Sequence, residues 1–404
     1  MNDARGQKTG REKLVGRRTF LKGAGAVLVL AAGGIVYRAV DQGVFSVGRG
    51  PAYEPWESWR EGGAGAEALV ASAILASNAH NSQPWLFRVA GGEPGGRIDL
   101  FANRRRDIGA IDPFLREMYT SVGCALENLV LSAEANGYAP KVTLLPDSSD
   151  PSHAAGVDLS PAEPVDSELF RAIPERHTDR GPYDPGGALP PGTLGALDTL
   201  ARGGGSGARV FWFEGKAERR RFGDEVVRAS EALISDREQS TDSFAWFRSD
   251  WDEIQRQRSG PTLDANVSSP LVLAGAKMLP APSRERGDEV FVQRTRDVHV
   301  ATAAAFGILA VMDNRDDAQR LAGGRAWQRM HLWATKEGLS VQPLNQMTER
   351  ADREAQLGAE PDFGRVLANL IGEPGWQALM PFRIGRPTTK ARPSPRRARE
   401  DVLV

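Results

Sequence analysis

Cysteine is almost absent from this sequence of 404 residues, which contains Cys124 alone. A single cysteine excludes an internal disulfide and a thiolate cluster for zinc or iron–sulfur. The net charge is also small, at −1, with 51 basic and 52 acidic side chains. Since a nucleic-acid partner requires a large basic surface, we expect neither a metal site nor nucleic-acid binding.

A long hydrophobic run is missing as well. The apolar stretch near the N-terminus, Gly23 to Val36, would span about 21 Å as a helix, against about 30 Å for the core of a bilayer. Arg17 and Arg18 precede this stretch and are followed by Phe20-Leu21-Lys22. Basic charge, paired arginines and a short apolar run in this order resemble a twin-arginine (Tat) export signal.

We therefore expect residues 1–47 to be a Tat-type leader and linker, with the Tat machinery as partner and a periplasmic or other extracytoplasmic location. The alternative is an ordinary basic N-terminus before a helix. Cleavage of the leader and a peripheral membrane contact through it both stay open.

Hydrophobic periodicity after residue 48 predicts an α+β protein. The first half, residues 48–165, begins with a Gly-, Pro- and Trp-containing linker, and a Pro- and Asp-rich connector ends it. Between them we expect a helix that ends near Ser77, strands at 85–89 and 98–101, a long helix that ends at Gly137 and a strand at 142–145.

The second half, residues 166–387, repeats this plan. Aligning Gly123 with Gly324 pairs two amphipathic helices without a gap, and Leu75-Ala76 followed by Trp85 matches Leu200-Ala201 followed by Val210. We infer an internal duplication, although unrelated Ala/Leu helices with glycine caps can align equally well. Residues 235–294 are an insertion with several aromatic side chains, expected either to cover a pocket as a lid or to form a satellite hydrophobic cluster.

The two halves differ most where helix gives way to strand. The first has Ser77-Asn78-Ala79-His80-Asn81-Ser82-Gln83-Pro84, whereas the second has Arg202-Gly203-Gly204-Gly205-Ser206-Gly207-Ala208-Arg209. Side-chain amides offer both a donor and an acceptor, as the polar edge of a flavin ring requires. A capped helix end followed by a turn would explain the same residues.

The run Asn81-Ser82-Gln83-Pro84-Trp85, followed by Phe87, resembles the flavin-edge motif of the FMN-dependent nitroreductase superfamily. The resemblance implies a nitroreductase-like fold with antiparallel-rich sheets flanked by helices, and FMN as cofactor. It places the ring edge against five residues of the first half: Ser77, Asn78, Ala79, Asn81 and Gln83.

Arg176-His177-Thr178-Asp179-Arg180 resembles the basic segment with which nitroreductases hold FMN. The resemblance assigns Arg176 and Thr178 to the phosphate, includes His177, and directs Arg180 to flavin N1 and O2. A guanidinium and a hydroxyl suit a phosphate, and a fixed cation beside N1 favours the reduced flavin, so Arg180 is the expected tuning residue. The alternative is a solvated charged loop.

Near the C-terminus, Pro381-Phe382-Arg383-Ile384-Gly385-Arg386 resembles the closing strand of the family, whose last basic residue returns to the phosphate. Arg386 is the matching position and Arg383 the second choice. Leu344 and Asn345 occupy the place facing flavin N5, without the glycine usual there. The basic tail, residues 388–404, is expected to be disordered.

In nitroreductase dimers each flavin is shared across the interface, and here the two motifs fall in different halves, as in a fused, Acg-like branch of the superfamily. The resemblance implies one FMN and ping-pong hydride transfer from NAD(P)H or another donor to a nitroaromatic, quinone or similar acceptor. FMN storage in a sealed pocket, or an exported oxidase of an unknown small molecule, are the alternatives. The flavin would carry the chemistry, so no catalytic side chain is expected, and the duplicated chain is expected to be a monomer or a higher oligomer.

Overall fold

The structure is a computed structural model that describes residues 34–60, 65–91, 95–267 and 269–404. The predicted twin-arginine segment with Arg17 and Arg18 lies outside these residues. Within the described ranges, every helix is too short or too polar to cross a membrane.

Two four-stranded antiparallel sheets organise the molecule, one in each half. In the first sheet the order is β1-β2-β4-β3, and its strands are Trp85–Ala90 (β1), Gly96–Ala102 (β2), Tyr138–Leu144 (β3) and His153–Pro161 (β4). In the second the order is β5-β6-β8-β7, and its strands are Arg209–Phe213 (β5), Ala305–Val311 (β6), Ser340–Pro343 (β7) and Gln377–Gly385 (β8). The two orders are the same when each strand is matched to its counterpart in the other half.

Helices cover the sheets and fill the space between them. The described helices of the first half are residues 34–41 (α1), Pro55–Ser58 (α2), Ala66–Ala73 (α3) and Arg116–Ala135 (α4), with 3-10 turns at Ala79–Asn81, Arg104–Arg106 and Gly109–Ile111. Those of the second half before the insertion are Glu168–Arg171 (α5), Thr193–Arg202 (α6) and Lys216–Ser235 (α7), with 3-10 turns at Ile173–Glu175 and Gly203–Gly205.

The insertion contains Arg237–Ala245 (α8), Trp251–Gln257 (α9), Leu263–Asn266 (α10), Pro270–Met278 (α11) and Arg284–Arg294 (α12), and a π-helical turn at Thr295–Val300 follows it. The remaining helices are Asp317–Lys336 (α13), Gln346–Leu357 (α14) and Asp362–Ile371 (α15), with a 3-10 turn at Arg399–Asp401.

The two halves meet where α4 crosses α13. A methyl group at Gly123 would lie 2.2 Å from the Leu321 carbonyl oxygen, and one at Gly324 would lie 2.0 Å from the Thr120 carbonyl oxygen. These two contacts are equivalent under the alignment that matches Gly123 with Gly324. The predicted α+β class and internal duplication are therefore confirmed, and the glycines let two helix backbones touch.

Three sequence predictions need correction. The predicted connector contains strand β4, whose Ala155 and Val157 are fully buried. The sequence does not indicate this strand, because its side chains are small and its neighbours are rich in Pro and Asp. The linker before residue 65 is packed, with Trp56 and Trp59 in the main core. The tail is ordered, since the backbone of Phe87 in β1 exchanges hydrogen bonds with Val402 and Val404.

Candidate functional site

The turn that precedes β1 has an unusual backbone. Three of its residues, none of them glycine, have positive φ, and three glycines at the same relative spacing precede β5. The angles are 47°, 48° and 52° for His80, Asn81 and Gln83, and 64°, 68° and 61° for Gly204, Gly205 and Gly207.

At these three left-handed positions the first half has residues with side chains, whereas the second half has glycine. A left-handed conformation costs a residue with a Cβ atom about 1 kcal/mol relative to glycine. The turn before β1 is therefore strained, and the glycine-rich turn before β5 is not. Strain of this kind is found at binding sites more often than elsewhere. The turn is the first component of the candidate site.

Arg176 is the second component, and it is buried beneath this turn. Its Nη2 donates to the carbonyl oxygen of Leu75 at 2.9 Å, and its Nε has no hydrogen-bond acceptor. No carboxylate of the described residues pairs with it. Burial lowers the pKa of this guanidinium to about 10, with a smaller contribution from Arg180. A buried cation with a free donor is suited to an anionic ligand.

Arg396 is a third component that sequence reasoning missed, because it lies in the tail predicted to be disordered. It is 2% exposed and donates to the Asn81 side chain and to the Ala76 carbonyl oxygen at 3.2 Å. Its Nε also has no acceptor, and no carboxylate pairs with it in the described part of the chain. Burial, and then Arg176, lower its pKa well below the usual range.

The second half provides an internal comparison. Arg329 donates to the carbonyl oxygens of Leu200, at 3.3 Å, and Gly203, at 2.7 Å, as Arg176 and Arg396 do to the matching part of the first half. Arg329, however, lies 3.0 Å from the Glu127 carboxylate. The glycine-rich turn thus has a neutralised cation beside it, whereas the turn with side-chain amides has two cations that no carboxylate pairs with in the part of the chain that the structure describes.

The ring of Trp56 lies close to both buried arginines, Arg176 and Arg396. The guanidinium carbons of Arg176 and Arg396 lie 5.8 and 4.8 Å from its ring centroid, and the His177 ring meets it edge-on at 4.5 Å. Burial and the surrounding cations lower the pKa of His177 to about 3, so its imidazole is neutral, and its Nδ1 has no partner. These orphaned buried nitrogens fit the phosphate of a nucleotide cofactor.

A pocket of about 450 Å³ opens beside His177. Its lining includes Gly338, Leu339, Ser340, Pro387 and Lys390. The pocket connects the surface with the predicted basic segment. Thr178, assigned to the phosphate by the resemblance, is half-buried in the same segment.

Arg180 lies at the turn. Burial, followed by the charge of Arg180, lowers the pKa of His80 to about 4, which places the guanidinium near that ring. The Arg180 side chain has no hydrogen-bond or ion-pair partner in the described part of the chain, while its carbonyl oxygen accepts from Arg294 at 2.9 Å. The structure thus brings the basic segment and the amide-rich turn together.

The amides of the turn are already engaged. Asn81 Nδ2 donates to the Pro395 carbonyl oxygen at 2.9 Å, and Gln83 Nε2 donates to the Arg258 carbonyl oxygen at 2.7 Å. Gln83 Oε1 accepts from the Arg397 backbone at 2.8 Å. The insertion and the tail therefore occupy the groups that the sequence assigns to a flavin edge, and a ring could contact them only after these partners were exchanged.

The other predicted residues of the turn have structural partners as well. The Ser77 backbone donates to Gln328 at 3.1 Å, and Ala79 donates from its backbone to Ser121 at 3.0 Å. Asn78 Oδ1 accepts from the Gln83 backbone at 2.9 Å. These contacts fix the shape of the turn.

Of the C-terminal predictions, Arg386 is exposed to solvent and Arg383 is fully buried. Arg383 donates to Gln342 and to the Gly181 carbonyl oxygen, each at 2.7 Å, so it holds the end of the basic segment in place. The Leu344 backbone donates to Pro381 at 2.8 Å and is not free to contact a flavin, while Asn345 Oδ1 is buried without a donor.

Comparison with known proteins gives several relatives that are named as nitroreductases. A Mycobacterium tuberculosis protein named "Putative NAD(P)H nitroreductase" is 28% identical over 342 residues, 83% of this chain and 88% of that protein. Another with this name, acg, is 33% identical over 120 residues, 29% of this chain and 35% of its own length. No protein-family model matches. These relatives support the nitroreductase family.

Solved structures of nitroreductases are also similar to the chain. An FMN-dependent nitroreductase from Mycobacterium smegmatis in complex with NADPH is 18% identical, with 58% of this chain and 96% of that chain covered and a TM-score of 0.32. A nitroreductase named as putative, from Anabaena variabilis, is 12% identical, covers 82% and 91%, and has a TM-score of 0.40. Both TM-scores are low.

The nitroreductase resemblance does not account for a group of buried acids beside Asn345. Glu117 and Glu349 are buried and share a hydrogen bond between their side chains, and Arg116 ion-pairs with both Glu117 and Asp352. Burial raises the pKa of Glu117 to about 7 and that of Glu349 well above its usual range. The pair therefore holds a proton near neutral pH.

Proposed function

We propose that this chain binds one FMN and acts as an oxidoreductase of the nitroreductase type, with NAD(P)H or another donor and a nitroaromatic, quinone or similar acceptor. The observation that carries the proposal is the contrast between the halves. Among the described residues, Arg176 and Arg396 are buried without a carboxylate partner, whereas Arg329, at the matching place of the other half, is paired with Glu127 at 3.0 Å.

The phosphate of FMN would supply the missing negative charge. A dianion accepts charge-assisted hydrogen bonds from guanidinium groups, and these are about twice as strong as bonds between neutral groups. Arg176 and Arg396 would hold it through their free Nε atoms, with Thr178 and the neutral His177 as further hydrogen-bond partners. The curated relatives named as NAD(P)H nitroreductases support this assignment.

When bound, FMN would supply the hydride chemistry, and the chain's own residues would supply position and charge. Arg383 would keep the basic segment in place through the Gly181 carbonyl oxygen at 2.7 Å, and Arg294 through that of Arg180 at 2.9 Å. The Arg180 guanidinium, without a partner among the described residues, would then be the fixed cation at the ring. The turn from His80 to Gln83 would close the site against water.

A second candidate is storage of FMN in a sealed pocket. The engagement of Asn81 and Gln83 by the tail and the insertion favours it, because a closed site would exclude a second substrate. In both candidate functions the same residues hold the phosphate. The two functions differ only in whether a second substrate can reach the flavin.

Purified protein would separate the candidates. We expect a yellow protein with one FMN per chain, and Arg176→Ala should lower this occupancy. Loss of the flavin colour within seconds of adding NADH or NADPH without oxygen would support the enzyme, whereas reduction by dithionite alone would support storage. A colourless protein that does not take up added FMN would contradict both.

A further inference from the structure

Exposed apolar side chains are concentrated in one region of the described chain. Eight of the thirteen large hydrophobic residues exposed in the described ranges belong to two segments, residues 35–45 and residues 271–279. We call this region the α1–α11 patch. Its members are Ile35, Val36, Tyr37, Val40, Phe45, Leu271, Val272 and Leu279.

The two segments of the patch are held side by side. Arg38 in α1 donates to the carbonyl oxygens of Met278, at 2.9 Å, and Leu279, at 3.2 Å, at the end of α11. Lys277, buried in α11, donates to the Gly43 carbonyl oxygen at 3.2 Å and pairs with Asp264 at 2.7 Å. The relation between the segments is therefore fixed by several buried or charged contacts.

Helix α11 has a clear inner and outer side. Leu273 and Lys277 are buried, whereas Leu271 is 84% and Val272 is 60% exposed. The outer residues are not required for packing within the chain, and apolar side chains concentrated in this way on a surface mark an interaction site.

We propose that the α1–α11 patch docks on the surface of an anionic lipid bilayer. Its apolar side chains would enter the boundary between headgroups and acyl chains, as those of an interfacial amphipathic helix do. Tyr37 and Arg38 suit this depth because each has an apolar body and a polar end.

The sequence next to the patch is the reason for choosing lipid over protein. The apolar stretch from Gly23 to Val36 runs directly into α1, and its last two residues, Ile35 and Val36, belong to the patch. Residues 1–22 carry seven Lys or Arg, which attract anionic headgroups.

Flotation of the full chain with vesicles of phosphatidylglycerol and phosphatidylethanolamine tests the proposal. The variant Leu271→Gln/Val272→Gln/Leu279→Gln removes three apolar side chains without touching the N-terminal segment. We expect its vesicle-bound fraction to fall about tenfold or more, since each side chain buries several CH2 groups. Far-UV circular dichroism and a thermal melt would confirm that it is folded.

The matched control is Val165→Gln/Met312→Gln/Leu357→Gln, which changes three exposed apolar residues outside the patch. It should bind vesicles like the parent chain. Equal binding of the patch variant and the parent would overturn the proposal and assign binding to the N-terminal segment alone. The proposal would also be overturned if the parent chain did not bind vesicles but formed a dimer, and the patch variant stayed monomeric. The patch would then be a contact between two copies of the chain.

Discussion

Arg176 and Arg396, 220 residues apart in sequence, reach the same tryptophan ring: their guanidinium carbons lie 5.8 and 4.8 Å from the centroid of Trp56. Two buried cations at one ring repel each other, and the charge of Arg176 lowers the pKa of Arg396 further than burial alone does. A bound anion would reverse this effect. The pair is therefore an unfavourable arrangement in the free protein that a phosphate would stabilise.

Arg396→Gln should weaken FMN binding about tenfold to a hundredfold, because it removes one charge-assisted contact of the proposed phosphate site. Arg386→Gln is the matched control, since Arg386 was the choice from sequence and is exposed to solvent. We expect the control to bind within about twofold of the parent. Fluorescence titration of the apoprotein with FMN would measure both constants.

The reverse ranking, with Arg386→Gln impaired and Arg396→Gln normal, would contradict the proposed site. Arg396 also contacts Asn81, so its loss could loosen the tail. Arg396→Lys separates the two effects, because it keeps the charge but loses the planar fork, and binding between that of the parent and that of Arg396→Gln is expected.

Gly324→Ala should destabilise the protein by about 3 kcal/mol or more, because its methyl group would lie 2.0 Å from the Thr120 carbonyl oxygen at the helix crossing. Gly195→Ala is the control: it also lies in a helix, but nothing lies within 4 Å of the added methyl group. The control should gain roughly 0.5 kcal/mol. Urea denaturation would give both values, and equal values would contradict the backbone contact.

Much of the fold could be predicted from sequence because its signals are local. The period of α4 and the alternation in β1 and β2 are visible in short windows. The Gly123 and Gly324 pairing was visible as well, since close helix crossings require glycine. In the candidate site, the amide-rich turn (residues 77–84) and the basic segment (residues 176–180) could be predicted because each is continuous in sequence.

The rest could not be predicted because it depends on contacts between distant residues. Nothing local in the tail indicates that Arg396 is buried, since its partners Asn81, Ala76 and Trp56 lie more than 300 residues away. Composition indicated disorder there, and tertiary contacts decided otherwise. The choice between Arg386 and Arg383 had the same difficulty, because only the folded strand shows which side chain points inward.

The strained turn gives a prediction at Asn81, where φ is 48°. Asn81→Gly and Asn81→Ala both lose the contacts with the tail, but glycine accepts the left-handed backbone. Asn81→Gly should therefore be more stable than Asn81→Ala by roughly 1 kcal/mol. In both variants hydrogen exchange of residues 394–404 should become faster, because Asn81 holds Pro395 and Arg396.

The control is the same pair of changes at Ser82, whose φ is −70°. There the order should be reversed, with the alanine variant more stable than the glycine variant. If the alanine variant were the more stable one at both positions in urea denaturation, the turn would not be left-handed at Asn81.

The buried acids predict a dependence of stability on pH. The folded protein raises the pKa of Glu117 to about 7 from 4.5, with burial as the main cause, so it binds a proton more tightly than the unfolded chain does. Stability is therefore lost as the pH rises from about 4.5 to about 7. Besides burial, the charge of Asp112 opposes ionisation of this carboxyl group, while Arg116 and the side-chain hydrogen bonds with Asn345 and Glu349 favour it.

Glu117→Gln should remove the part of this dependence that comes from Glu117. Between about pH 5 and about pH 7.5, the parent should lose about 2 kcal/mol of unfolding free energy relative to Glu117→Gln. Glu360→Gln, an exposed carboxylate, is the control and should follow the parent. Urea denaturation at several pH values gives the three profiles. Parallel profiles for Glu117→Gln and the parent would contradict the raised pKa of Glu117.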